Sequence, residues 1–331
     1  MSDHLLVRAC RGEAVERTPV WAMRQAGRWD PEFRRVRGGL DFYEFSASPQ
    51  LAAEASLLPQ RFGVDGIILF YDITTLAVAM GMEFTLEPDR GPVPGRPVRS
   101  HADAARLAGR LDCDRFSHVI ELLTIVRREL SGSLPVLVFA SAPFTLASYC
   151  VGTGKDVTRT LQFIREQPQT WELLSDKITE ATVVFLDALC REGADAYQLF
   201  DSWAGDLPRE HYETWSHRYQ RQILAACPAV PSILFVRECP YLELMVESGA
   251  KVVSLGTRHD LAAARSAFPA LSFQGNVDHN LLVHGTTQQV REATASCLKQ
   301  GGGQRHVLNL NHGVDRNTSV ENFAEFVRMA H

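Results

Sequence analysis

Short apolar runs rich in β-branched residues alternate with longer amphipathic stretches from one end of the sequence to the other, the pattern of parallel βα units. Eight such runs can be read: Pro19 to Met23, Val64 to Phe70, Leu134 to Phe139, Ala194 to Phe200, Pro231 to Val236, Lys251 to Leu255, Leu271 to Gln274 and His306 to Leu310. Eight parallel strands separated by helices can close on themselves, so the expected fold class is α/β and the expected architecture a (β/α)8 TIM barrel. A chain of 331 residues is long for one domain, but barrels of this kind reach that size as one unit. No linker interrupts the pattern, and residues 1–331 are read as a single catalytic barrel with an N-terminal helical extension.

Local signals agree with this division. Ser48-Pro49 places a cap before a helix, Thr318 to Glu321 has capping-box spacing, and Pro168 to Arg191 reads as a long outer helix. Gly301-Gly302-Gly303 reads as a helix stop before the last strand, and the proline- and glycine-rich segment Glu87 to Ser100 as a loop.

Composition narrows the function. With 45% hydrophobic and 22% charged residues the chain is globular, and its net charge of -5 gives no general attraction for nucleic acid or an anionic membrane. An anionic ligand would need a local basic patch. The start, Met1-Ser2-Asp3-His4, is polar and no apolar run approaches ~18 residues, which points to a cytoplasmic protein without a membrane span. Seven scattered cysteines, never spaced CxxC, read as apolar fillers and not as a disulfide frame or thiolate metal site.

Polar residues fall just past the expected strand ends: Arg24, Asp72, Ser141 and later Tyr149, Asp201-Ser202, Asn276 and Asp278, and Asn311-His312. In a barrel these positions converge at one mouth, where such folds hold their active sites. The segment from Met23 to Arg37 concentrates arginine in an acidic chain. Arginine suits carboxylates because its planar fork donates two hydrogen bonds and keeps its charge. Arg24 and Arg28 flank Gly27 at a strand end and look like a clamp; Arg34, Arg35 and Arg37 fit either a clamp or a solvated helix face. Asp72 follows an apolar strand, where a carboxylate is costly without partners. It reads either as a ligand-facing group or as the cap of a helix beginning at Ile73.

Several separated motifs now meet a known family. Pro19-Val20-Trp21-Ala22-Met23-Arg24-Gln25-Ala26-Gly27-Arg28, Ile68 to Ile73, Ala142-Pro143-Phe144-Thr145-Leu146 running on to Tyr149, Gln198 to Ser202, Gln274 to Asp278, and Asn309 to Gly313 occur in order. On them the chain resembles the uroporphyrinogen decarboxylase family along nearly its whole length. The resemblance implies a homodimeric, cofactor-independent carboxy-lyase that trims the four acetates of uroporphyrinogen to methyls, giving coproporphyrinogen. It implies that Asp72 accepts hydrogen bonds from the pyrrole N–H groups and is catalytic together with Arg24. Substrate binding would fall to Arg24, Gln25, Ala26, Gly27, Arg28, Arg37, Asp72, Phe139, Tyr149, Phe200, Ser202 and His312. The pyrrole, protonated at the carbon bearing the acetate, would serve as the electron sink, and Asp72 would stabilise the resulting cation.

Other signals weigh less. Gly152-Thr153-Gly154-Lys155-Asp156 lacks the Ser or Thr that a phosphate loop needs after its lysine. His211 and His217 are six apart, off one helix face, and no HExxH occurs, so no metal is expected. Zinc-dependent methyltransferases acting on corrinoid proteins share the fold, but at the place of their His-x-Cys pair this chain reads Arg237-Glu238-Cys239. Asp30, Tyr71, His279, Asn311 and the stretch Ser254-Leu255-Gly256-Thr257 depart from the decarboxylase pattern. They leave room for a diverged paralogue acting on another tetrapyrrole, or for a tetrapyrrole-binding protein without turnover.

Overall fold

The computed structural model describes residues 3–87 and 90–331. Its centre is a curled, wholly parallel seven-stranded sheet of β1 (Ile67–Ile68), β4 (Val136–Ser141), β5 (Ala196–Asp201), β6 (Ser232–Val236), β7 (Val252–Ser254), β8 (Ser272–Gln274) and β9 (His306–Val307), in that spatial order. Each strand is followed by helix, and each neighbour in the sheet is the next strand of the series, as right-handed βαβ crossovers require. A separate hairpin, β2 (Phe84–Glu87) with antiparallel β3 (Gly91–Pro94), occupies part of the segment expected as a loop. Pro88 and Asp89, in the same segment, lie outside the described residues, as do Met1 and Ser2.

The eighth expected strand is where the sequence reading needs correction. Pro19 to Met23 forms no strand; it makes one isolated parallel bridge, Val20 to Leu308. The Leu308 N–H donates to Pro19 O at 2.8 Å, and on the other flank the Asp65 N–H donates to Val20 O at 2.7 Å. The physical reason is a substitution of partners: the Asp65 carboxylate, held by Arg17 at 2.6 Å, accepts the Val20 N–H at 2.8 Å where a strand would offer a carbonyl. Four residues on, Arg24 turns the backbone into the left-handed region at φ 59°.

Polar strand residues inside the curl brace one another. Gln274 Nε2 donates to Gln198 Oε1 at 2.9 Å and to Ser254 Oγ at 3.1 Å, while Trp21 Nε1 donates to Gln274 Oε1 at 3.0 Å. All four side chains are fully buried, so these bonds satisfy groups that water cannot reach. The N-terminal helix Leu5–Arg11 covers the amino end of the sheet, where Ser272 Oγ donates to Ala9 O at 2.9 Å. Outside, helix Pro168–Arg191 buries Trp171, Leu174, Ile178, Phe185 and Leu189 at helical spacing. Gly302 ends helix Thr287–Gly301 in the left-handed conformation. The last helix, Val320–Arg328, is capped by Ser319 and not by Thr318, whose buried hydroxyl finds no partner.

His306, fully buried on β9, has Nε2 2.6 Å from Gly275 O, and burial pushes its pKa down to about 4. The folded state therefore disfavours the imidazolium: this penalty is absent above the ordinary value near 6.5 and grows as pH falls toward 4. Denaturant stability is expected to decline as pH drops below about 6.5, and His306→Gln to flatten that decline; a slope unaltered by the substitution contradicts the buried neutral imidazole.

Candidate active site

The turn that delivers Arg24 is built by its neighbour. Gln25 is fully buried; its Oε1 accepts the Ala22 N–H at 3.1 Å and its Nε2 donates to Gly66 O at 3.0 Å. Both ends of this side chain are committed to backbone, so Gln25 holds the turn in which Arg24 is left-handed. Ala26 is buried with Phe33, Phe45 and Ala55, and Gly27 lies between the turn and Trp29. Arg24 then lies across Gly313: a Cβ there would come within 2.5 Å of Arg24 Cδ, so only glycine leaves the arginine its path.

The next helix, Pro31–Arg37, begins at Asp30, which accepts the Glu32 N–H at 2.9 Å and pairs with Arg61. Its arginines divide. Arg34 donates to the Arg28 and Trp29 carbonyls at 2.7 and 3.2 Å, fixing the loop; Arg35 pairs with Glu32 on the exposed face. Arg37 is half-buried and donates to Leu40 O. Arg28 is exposed, and among the described residues its guanidinium has no hydrogen-bond partner.

Asp72 stands past β1. Its Oδ1 accepts both the Thr74 N–H, at 2.9 Å, and the Thr74 hydroxyl. The helix starts later than expected, Thr75–Ala79, so Asp72 closes the turn before it instead of capping it. Both Thr74 bonds fall on one oxygen, the Ile73 backbone also donates to the carboxylate, and among the described residues Oδ2 has no side-chain donor. Desolvation raises the Asp72 pKa, while the Thr74 bonds and the charge of Arg24 pull it back. The Arg24 guanidinium is reached by solvent but crowded by protein, and this desolvation lowers its pKa against the opposing charges of Asp72 and Asp315. It stays charged at working pH.

Around these charges runs an aromatic arc. Tyr71 stacks on Phe139 with centroids 4.1 Å apart, Phe139 meets Phe200 edge-on at 5.5 Å, Phe200 meets Phe235 at 5.5 Å, and Phe235 meets His312 at 6.2 Å. The Tyr71 hydroxyl accepts the Phe139 N–H at 2.7 Å and donates to the Phe139 carbonyl, joining backbone where β1 has left the sheet. Tyr149, buried on helix Pro143–Cys150, has its phenol pushed up to about 12 by burial and is protonated at neutral pH. Burial first, then the Arg24 charge, push His312 down to about 4, so it is neutral there. Half-buried Ser202 follows Asp201, a fully buried carboxylate held by Thr145, Ser216 and Gln220 at 2.6 to 2.9 Å. That hub sets the turn, since Thr145 Oγ1 also accepts the Trp203 N–H.

Arg24 thus lies within electrostatic reach of Arg28, Asp72, Tyr149 and His312, and ring contacts link Phe139 through Phe200 and Phe235 to His312, while Gln25 and Ala26 are buried and serve the turn that carries Arg24. Phe235 and Thr74 were missed. Phe235 could have been found, because it is the register partner of Phe200 on the next strand.

The sequence profile of the family Uroporphyrinogen decarboxylase (URO-D) matches residues 1–331. The chain belongs to the uroporphyrinogen decarboxylase family. Proteins of that name from Rhodococcus opacus (strain B4) and Synechococcus sp. (strain JA-3-3Ab) are 38% and 37% identical to it, over 100% and 98% of this chain and 96% and 92% of their own. A methyltransferase from Methanosarcina mazei shares the fold with a TM-score of 0.84 at 22% identity, covering 98% of this chain and 96% of its own. A B12-independent methionine synthase from Shewanella sp. W3-18-1 does so at 0.57 and 12% identity, covering 95% and 93%.

Within the uroporphyrinogen decarboxylase family frame, two departures from the pattern, Gly256 and Asn311, adjoin Glu238, and a third, His279, is joined to it through Asn311. A Cβ at Gly256 would sit 2.7 Å from Glu238 Oε2, so the glycine makes room for that carboxylate. Cys239 is a buried thiol pushed up to about 12 by burial. Among the described residues no three His, Cys, Asp or Glu side chains gather as a metal site.

Asp72 carries a stability cost with a definite sign. Its folded-state pKa is raised, so the penalty is absent below the ordinary 3.8 and fully present once pH exceeds the folded value. Asp72→Asn, which keeps an oxygen for Thr74, is expected to leave thermal stability at pH 7 unchanged or higher; a loss above about 1 kcal/mol contradicts this balance.

Proposed function

We propose that this protein removes the four acetate carboxyls of uroporphyrinogen III as carbon dioxide, giving coproporphyrinogen III in tetrapyrrole and haem biosynthesis. The observation that carries the reading is a half-engaged carboxylate, Asp72, near Arg24 and its neighbour Arg28, neither of which makes a direct ion pair among the described residues, beside an aromatic arc and in a full-length member of the family. Asp72 Oδ2 would accept pyrrole N–H groups at the centre of a domed macrocycle. Arg24 and Arg28 would hold carboxylates, with Arg37 at the edge. Phe139 and Phe200 would pack on the ring, and Tyr149, Ser202 and His312 would contact its rim.

Electron counting refines the chemistry. Protonating the carbon that bears the acetate would interrupt conjugation to the breaking bond. The proton must go to the adjacent α-carbon, which makes the ring an iminium conjugated with the acetate methylene. The C–COO⁻ bond then breaks, its electron pair forms an exocyclic methylene, and carbon dioxide leaves. Protonation of that methylene and loss of the ring proton give the methyl group. The pyrrole is its own electron sink, so no cofactor is invoked. A fixed negative group beneath the cation lowers the barrier, which is the catalytic role assigned to Asp72. Arg24 would orient the scissile carboxylate, since a guanidinium is a poor proton donor.

We further infer that Pro19 to Met23 acts as the eighth stave of a closed (β/α)8 barrel forming a single domain, on the strength of its backbone bonds to both flanks. A homodimer and a cytoplasmic setting complete the proposal. Among the described residues no helix is long and apolar enough to cross a membrane.

The test is anaerobic incubation of metal-stripped protein with uroporphyrinogen III, followed by oxidation and chromatographic separation of the products by carboxylate number. Seven-, six-, five- and four-carboxylate species are expected. Bound but unchanged substrate would contradict the assignment and favour a binding protein or a paralogue with another tetrapyrrole.

A further inference from the structure

Beside His312 a chain of hydrogen bonds fixes the protonation pattern of a second imidazole. Glu238, directly after β6, accepts the Thr257 N–H at 3.0 Å, the Thr257 hydroxyl at 3.2 Å and the Arg258 N–H at 3.3 Å. Burial alone would raise its pKa, but these bonds and Asn311 outweigh that and lower it, so Glu238 is an ionised, acceptor-only group. Asn311, 3.0 Å from Glu238 Oε1, must therefore present its NH2 to the carboxylate. Its Oδ1 is left for His279, where it accepts the backbone N–H at 2.8 Å and lies 3.0 Å from the ring Nδ1. An amide oxygen cannot donate, so the proton of neutral His279 is on Nδ1 and Nε2 is the open nitrogen.

The His279 ring lies 5.1 Å from that of His312, tilted by 35°, and its side chain keeps 21% of its exposure. Every hydrogen bond given to this imidazole goes through Nδ1, so Nε2 has no protein partner among the described residues. The charged and titratable groups facing it are Asp278, 3.6 Å from Nδ1, His312, Arg24 beyond His312, and Glu238 through Asn311.

We propose that His279 is a further substrate-positioning residue, whose Nε2, held open by the Glu238–Asn311 pair, donates to a rim carboxylate of the substrate beside His312. Because Nδ1 already carries the proton it gives to Asn311, donation from Nε2 needs one more proton, which the ring takes from solvent as the carboxylate binds, so that an imidazolium pairs with a carboxylate. The inference rests on the tetrapyrrole reading of the site, and it adds a residue outside the strand-end motifs that carried that reading.

Two isosteric substitutions separate a substrate contact from a purely structural one. His279→Asn can still donate to Asn311 but has nothing in the place of Nε2; His279→Gln reaches the place of Nε2 and gives up the Asn311 bond. Steady-state kinetics with uroporphyrinogen III are expected to show KM raised about tenfold and kcat lowered by no more than about threefold for His279→Asn, with His279→Gln recovering most of the loss in KM. The opposite order, equal losses in both, or no change in either overturns the proposal. Wild-type turnover in the same assay tests the decarboxylase reading separately, so the two failures cannot be confused.

Discussion

A carboxylate at the mouth of an apolar sheet has to be held without being satisfied. Asp72 meets that requirement by dividing its oxygens: Thr74 takes Oδ1 twice through its N–H and hydroxyl, and among the described residues Oδ2 has no side-chain donor, which is what the proposed substrate contact requires. Everything else in the site follows from keeping that half-engaged charge tolerable. Arg24 supplies the compensating charge, yet it reaches the mouth only because Gln25 pins the left-handed turn and Gly313 leaves room for its side chain. An arginine that paired directly with Asp72 would stabilise the fold more and leave nothing to bind a macrocycle.

Rigidity below the mouth makes this arrangement durable. The interior bonds among Trp21, Gln198, Ser254 and Gln274 tie three strands of the sheet to the Pro19 to Met23 segment, and the Asp201 hub ties the helix carrying Tyr149 to the turn carrying Ser202. The aromatic arc lies between these two sets of struts. The candidate site side chains are thus placed by strand ends and short turns braced by these hydrogen bonds, which is how a site keeps its geometry before substrate arrives.

Much of this was legible in the sequence because strand-end position and residue chemistry are local properties. Asp72, Arg24, Phe139, Phe200 and His312 each lie at the end of an apolar run, and in the structure Arg24 acts electrostatically on both Asp72 and His312 while ring contacts link Phe139 through Phe200 and Phe235 to His312. What could not be read was which polar groups answer one another across the sheet. Gln25 sits inside the arginine motif and looks like a ligand contact, but both ends of its side chain are bound to backbone, one at neighbouring Ala22 and the other at Gly66, far from it in sequence. Pro19 to Met23 has the composition of a strand, and only the presence of Asp65 shows why its ladder is cut to one bridge. The Glu238, Asn311 and His279 chain joins three separate strand ends, so no spacing rule could have found it.

The central claim is that the free oxygen of Asp72 lowers the barrier to acetate loss and does not merely support the fold. The most direct measurement is the single-turnover rate of decarboxylation by Asp72→Asn under saturating uroporphyrinogen III. The account predicts a rate at least about 100-fold below wild type, close to 3 kcal/mol in barrier, in a protein that remains folded. A rate within about twofold of wild type, under ~0.5 kcal/mol, would contradict it.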